Sequence, residues 1–137
     1  MIGVIDASAV IRLFIPDGRV PDGLENFLRK AEQGAGVALA PELIVAEAAN
    51  VLLKKHRRGE LTELEIREIL SVLMNLPIRL ISHKPIIDSA LDIAMQFQLT
   101  VYDSIYLAIA RTQNACIFSA DDQINNAARS LSLPICK

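Results

Sequence analysis

The sequence has little of what would mark a membrane-spanning, secreted or zinc-binding protein. Although 52% of its 137 residues are hydrophobic, no apolar run approaches the ~20 residues that a membrane-spanning helix needs. No signal peptide is expected either, since "MIGVID" runs directly into a strand-like pattern. Its two cysteines are too few for a disulfide framework, and Cys116 and Cys136 are too far apart in the chain for a CxxC metal clip. Cys116 reads as strand core and Cys136 as an ordinary residue near the end, with a bridge between them the lesser alternative. Excess positive charge is also absent: the net charge of −2 argues against holding nucleic acid by bulk charge alone. No linker, repeat, charge block or low-complexity segment interrupts the chain. The expectation is a single domain over residues 1–137, soluble and cytoplasmic, with no membrane contact.

What is present is an alternation of short apolar segments with longer helical patterns. "IGVIDA", "GVALA", "IRLIS", "ACIFSA" and "LPIC" read as strands. Between them, "APELIVAEAANVLLKKHRRG" has Pro41 in its first turn, basic residues in its last turns and Gly59 as a stop. In "LTELEIREILSVLMNLP", Thr62 and Glu65 form a predicted capping box, and Pro77 ends the helix. "KPIIDSALDIAMQFQ" and "DDQINNAARSLS" give two further helices, and two "PDG" turns mark a loop at residues 16–23. This rhythm predicts an α/β protein: a three-layer α/β/α sandwich with a mainly parallel central sheet.

Four acids stand out against that background. Asp6 follows the first strand and Asp121 the fourth, and in open α/β sheets the ligand crevice lies beyond the carboxyl ends of the strands. Glu47 lies mid-helix among alanines, with Asn50 on the same helical face. Asp103 interrupts "TVYDSIYLAIA", a run that otherwise reads as buried helix. A carboxylate there can cap the helix, but one beside a core also calls for a compensating cation. Taken singly, each acid is as well explained as a cap, a turn residue or a surface residue. Together, oxygen donors without a partnering Cys or His suit Mg²⁺ or Mn²⁺ better than zinc. Such ions orient a water nucleophile and neutralise a phosphodiester during in-line displacement.

The segments "VIDASAVIRLF", "APELIVAEAANVL", "LTVYDSIYLAIA" and "IFSADDQI" occur in the order and spacing of the PIN-domain family, and the chain especially resembles the small VapC-type toxins of toxin–antitoxin pairs. The resemblance spans nearly the whole chain. It implies a metal-dependent ribonuclease acting on single-stranded RNA, with Asp6, Glu47, Asp103 and Asp121 as the acidic quartet around Mg²⁺ or Mn²⁺. Ser8 and Ser119 match the small hydroxyl positions that support the quartet. Asp122 adjoins Asp121 and either could reach the ion; the match of "SAD" favours Asp121. A cognate antitoxin and a homodimer are also implied, the dimer using stripes that include Leu70, Leu73, Ile86 and Ile93.

Taking the four acids out of the count raises the net charge from −2 by four, to +2. The basic cluster "KKHRRG" is better read as complementing a helix dipole than as an RNA contact. Tyr102 and Tyr106 read as packing, and neither His56 nor His83 shows a partner. Among rival functions, a haloacid-dehalogenase-type phosphohydrolase needs a second acid where Ser8 stands. A receiver domain needs an aspartate after the third strand, which "IRLISHKP" lacks. A catalytically silent PIN scaffold, binding RNA or protein, is the remaining alternative.

Overall fold

The computed structural model describes residues 1–136. Its strands are β1 (Ile2–Ile5), β2 (Val37–Pro41), β3 (Ile78–Ile81) and β4 (Cys116–Phe118). They form one sheet in the order β3-β2-β1-β4, with every neighbouring pair parallel. The helices are α1 (Ala7–Arg12), α2 (Leu24–Glu32), α3 (Leu43–Arg57), α4 (Glu63–Met74), α5 (Ile87–Phe97), α6 (Val101–Gln113) and α7 (Asp122–Ser130). A single 3-10 turn at Lys84–Ile86 leads into α5. Parallel neighbours require crossover connections, and here helices supply them, giving the expected α/β/α arrangement.

Central strands of such a sheet are covered on both faces, and β1 and β2 are accordingly buried after their first residues. Gly3 is required by that packing: a Cβ there would come within 2.9 Å of the Phe27 ring, which lies 5.0 Å from the Phe118 ring, centroid to centroid. The most deeply buried helix is α6, with Ser104 through Ala110 all out of solvent as it packs on β1, β2 and β4. A helix apolar on all sides is one that belongs inside. The predicted capping box is present as well: Glu65 N–H donates to Thr62 Oγ1 at 3.1 Å and Thr62 N–H to Glu65 Oε1 at 3.0 Å.

Several expectations are corrected. "LPIC" is not a fifth strand; Pro134 lacks a ladder donor, and Cys136 is instead bonded to Cys116 in a disulfide. The bridge treated as the lesser alternative is therefore the arrangement present. Pro41 closes β2, paired with Ile81, and α3 starts only at Leu43. His56 does have a partner, because the α3–α4 turn brings its Nδ1 to the Leu61 carbonyl at 2.9 Å. His83 Nδ1 is buried without a partner among the described residues. Leu73 and Ile93, expected on an outer stripe, are core. The outward apolar residues of α4 and α5 are Leu64, Val72, Met74, Ile87, Leu91 and Met95. Within the basic cluster, Lys55 is buried and pairs with Asp17 at 2.5 Å and Glu60 at 3.7 Å. It ties the 16–23 loop to α3.

Candidate metal centre

The strand order sets where a site can form. From β1 the sheet grows through β2 to β3 on one side, while β4 lies on the other, so the topology reverses between β1 and β4. Crevices open at the carboxyl ends of strands at such a reversal. Asp6 sits there at the end of β1, its N–H donating to the Phe118 carbonyl of β4 at 3.1 Å.

Asp6 is also the N-cap of α1, and it is almost wholly buried, 2% exposed. Its Oδ1 accepts from Ala9 N–H at 2.8 Å and from the Ser8 hydroxyl at 2.7 Å, while Oδ2 accepts from the Ser119 hydroxyl. Burial nevertheless pushes its pKa up to about 6, against the lowering effect of those hydrogen bonds, with Asp121 adding a smaller upward push. Ser8 and Ser119 knit the strand ends together. Ala120 N–H donates to Ser8 Oγ and Asp121 N–H to Ser119 Oγ, each at 3.0 Å. Asp121 then caps α7, accepting at Oδ1 from Gln123 N–H at 2.8 Å.

Asp103 does not cap α6. Thr100 does so, its Oγ1 accepting from Asp103 N–H at 3.1 Å, so the capping explanation for this acid falls away. Its carboxyl is raised in pKa first by burial and then by Asp121. Glu47, on α3, is raised by burial and further by Asp103, against the effect of a hydrogen bond from Tyr106. The acids thus form an electrostatic chain, Asp6 to Asp121 to Asp103 to Glu47, each link a like-charge repulsion. Asp122 lies exposed and outside this chain, and Asn50, one turn from Glu47, is exposed with no hydrogen bond to the acids. Of the two adjacent aspartates, Asp121 is the one that couples to the others.

Among the described residues, no three Asp, Glu, His or Cys side chains close around a common point. The donor set still fits a hard divalent cation: all the donors are carboxylate oxygens, their charges repel, and a cation between them would remove the repulsion. Zinc finds neither nitrogen nor sulfur here.

Tyr106 has a role that the sequence reading missed. Its ring is core, but its hydroxyl donates to Glu47 Oε1 at 2.6 Å. One hydroxyl therefore ties α6 to the acid of α3. The Tyr106→Phe variant should lose about 1 kcal/mol of stability, an ordinary hydrogen bond's worth. Its Mn²⁺ affinity should fall about tenfold, as for other partners that orient a metal ligand. Melting curves and Mn²⁺ titration check this, and unchanged affinity would reduce Tyr106 to packing.

A comparison of the chain with known families then decides the question of kinship, because the PIN domain profile matches residues 3–130. The chain belongs to the PIN-domain family. It is 29% identical over 133 residues to "Ribonuclease VapC3" of Pyrobaculum aerophilum, spanning 96% of this chain and 98% of that protein. A solved structure, that of PAE2754 from Pyrobaculum aerophilum, superposes with a TM-score of 0.70 at 22% identity, covering 91% of this chain and 83% of the other. That likeness bears on the fold alone. Asp6 follows β1, Glu47 lies on α3, Asp103 on α6 and Asp121 between β4 and α7.

Proposed function

We propose that this PIN domain, one unit over residues 1–137, is a Mg²⁺- or Mn²⁺-dependent endoribonuclease that cuts single-stranded RNA, acting in the cytoplasm as the toxin of a toxin–antitoxin pair. The coupling of four carboxylates at the sheet's reversal point carries this reading. The relative named Ribonuclease VapC3 supports RNA as the substrate class. Asp6, Glu47, Asp103 and Asp121 would hold the ion. Once bound, it would supply an activated water and charge neutralisation at the scissile phosphate. The chain's own contribution is positioning: Ser8 and Ser119 fix Asp6, Tyr106 fixes Glu47, and the first amides of α7 fix Asp121. Purified protein given single-stranded RNA and Mn²⁺ should cleave it, EDTA should stop cleavage, and Ca²⁺, looser in geometry, should support binding without turnover. Binding without cleavage in both Mg²⁺ and Mn²⁺ would leave a silent RNA-binding module instead.

The partners follow from the same kinship. A cognate antitoxin would lay a basic side chain among the acids, gaining charge-assisted hydrogen bonds and excluding metal. Failure of the two proteins to co-purify would remove that partner. For the homodimer, the outward residues of α4 and α5, with Leu80 on the edge strand β3, supply an apolar face. No helix among the described residues is long and apolar enough to cross a membrane. Light scattering should return twice the chain's 15.0 kDa, and a monomer mass at micromolar concentration would contradict it.

A further inference from the structure

The same strand ends that carry Asp6 and Asp121 also floor a cavity of ≈ 420 Å³, within the ~300–1,000 Å³ usual for ligand pockets. Phe118, Ser119 and Ala120 line its floor, Arg12 and the 19–22 turn line one part of its wall, and Ile135 and Cys136 line another. Ser119 belongs to both places, since its hydroxyl donates to Asp6. The cavity therefore adjoins the acids through Ser119, and none of the four lines it.

Three observations indicate its occupant. The first is a cation kept available. Arg12 donates through Nη1 to the Arg19 carbonyl at 3.1 Å, and no carboxylate of the described residues lies within ion-pair distance of it. Arg19, by contrast, is engaged with Asp22 at 2.7 Å. The loop is shaped around the Arg12 head: a Cβ at Gly18 would collide with the guanidinium. With one nitrogen held by a carbonyl, the remaining N–H groups present the fork that suits a phosphate. The second is a pair of acceptors. Asp122 is exposed on the lining, and Asn125, whose Nδ2 donates to the Ser119 carbonyl at 3.0 Å, keeps its Oδ1 to accept. Acceptors of this kind suit sugar hydroxyls, including the 2′-OH that distinguishes RNA. The third is the disulfide. It fastens the wall residue Cys136 to Cys116, two positions before Phe118 of the floor, so the tail is fixed in place as a wall.

We propose that this cavity is a ribonucleotide subsite next to the scissile phosphate, with Arg12 on the neighbouring backbone phosphate and the disulfide-fastened tail as its wall. The inference rests on the nuclease reading and deepens it, giving a role to Arg12, Asp122 and the disulfide that the four acids do not require.

The test uses the full chain carrying Asp103→Asn, so that RNA stays whole, and follows the fluorescence anisotropy of a labelled single-stranded oligouridylate over a range of salt concentrations. Adding Arg12→Ala should weaken binding about tenfold and flatten the dependence of log affinity on log salt by about 0.7, the contribution of one phosphate contact on a single strand. Arg12→Lys should recover part of the affinity, and melting temperatures should match. Parent affinity and parent salt slope in Arg12→Ala would overturn the proposal. So would a variant that kept RNA binding but lost the antitoxin complex, since the occupant would then be protein. Cys136→Ser should weaken oligouridylate binding in the Asp103→Asn chain while leaving the Mn²⁺ affinity of the otherwise wild-type chain untouched; unchanged RNA binding would refute the role of the wall. The nuclease reading fails separately: wild-type protein that cut no RNA in Mn²⁺, yet bound oligouridylate through Arg12, would lose the enzyme and keep the subsite.

Discussion

Asp103→Asn is expected to lower RNA cleavage by about a hundredfold or more, since even side chains that merely orient metal ligands cost ten- to a hundredfold when replaced. The fold should not suffer. Thr100 caps α6, so the asparagine inherits no capping duty, and its shape matches the aspartate. What it removes is a half-buried charge that burial and Asp121 both disfavour. The variant without metal should therefore melt at the same temperature as wild type or slightly higher. Loss of activity together with undiminished stability is the signature of a charge kept for function. Equal cleavage by variant and wild type, or a large fall in melting temperature, would contradict this account of Asp103.

The second large effect concerns the disulfide. Cys116 and Cys136 lie 20 positions apart, and closing a loop of about that size stabilises a fold by roughly 3 kcal/mol through the unfolded chain. Denaturant unfolding with and without dithiothreitol should show a loss of this order, as should Cys136→Ser in the absence of reductant. Coincident unfolding curves would show that the bridge is idle. Most cytosols keep such pairs reduced, and intracellular proteins of hyperthermophiles are the main exception. The redox poise around the protein therefore decides whether the wall of the cavity is fastened.

Sequence reasoning reached the acids because strand ends are visible where apolar runs stop. "VIDAS" and "FSADD" both break at a strand's carboxyl end, and the crevice rule then brings Asp6 and Asp121 together. The capping box at Thr62 and Glu65 was equally legible, being wholly local. Thr100 is legible in principle, standing just before an apolar run with an acid three residues on. The Tyr106–Glu47 bond was not legible, for it joins residues 59 positions apart, and a tyrosine in an apolar helix reads as core. Spacing alone also failed for the cysteines, because α7 folds the tail back to β4 and no local pattern encodes that return. In α4 and α5 the helical period marks apolar faces without saying which one turns inward. Leu73 and Ile93 went to the core, while Val72, Leu91 and Met95 stayed outside.

That four acids on β1, α3, α6 and the β4–α7 turn make one divalent-metal site is tested most directly by calorimetric titration of Mn²⁺. The wild-type chain should be compared with Asp6→Asn, Glu47→Gln, Asp103→Asn and Asp121→Asn, each first shown to be folded. Saturable binding by wild type is expected, with every variant at least about tenfold weaker, because each neutralisation removes a hard oxygen donor and a unit of attracting charge. Mn²⁺ binding that is absent from wild type, or equal across all five proteins, would mean that the acids do not form a metal centre.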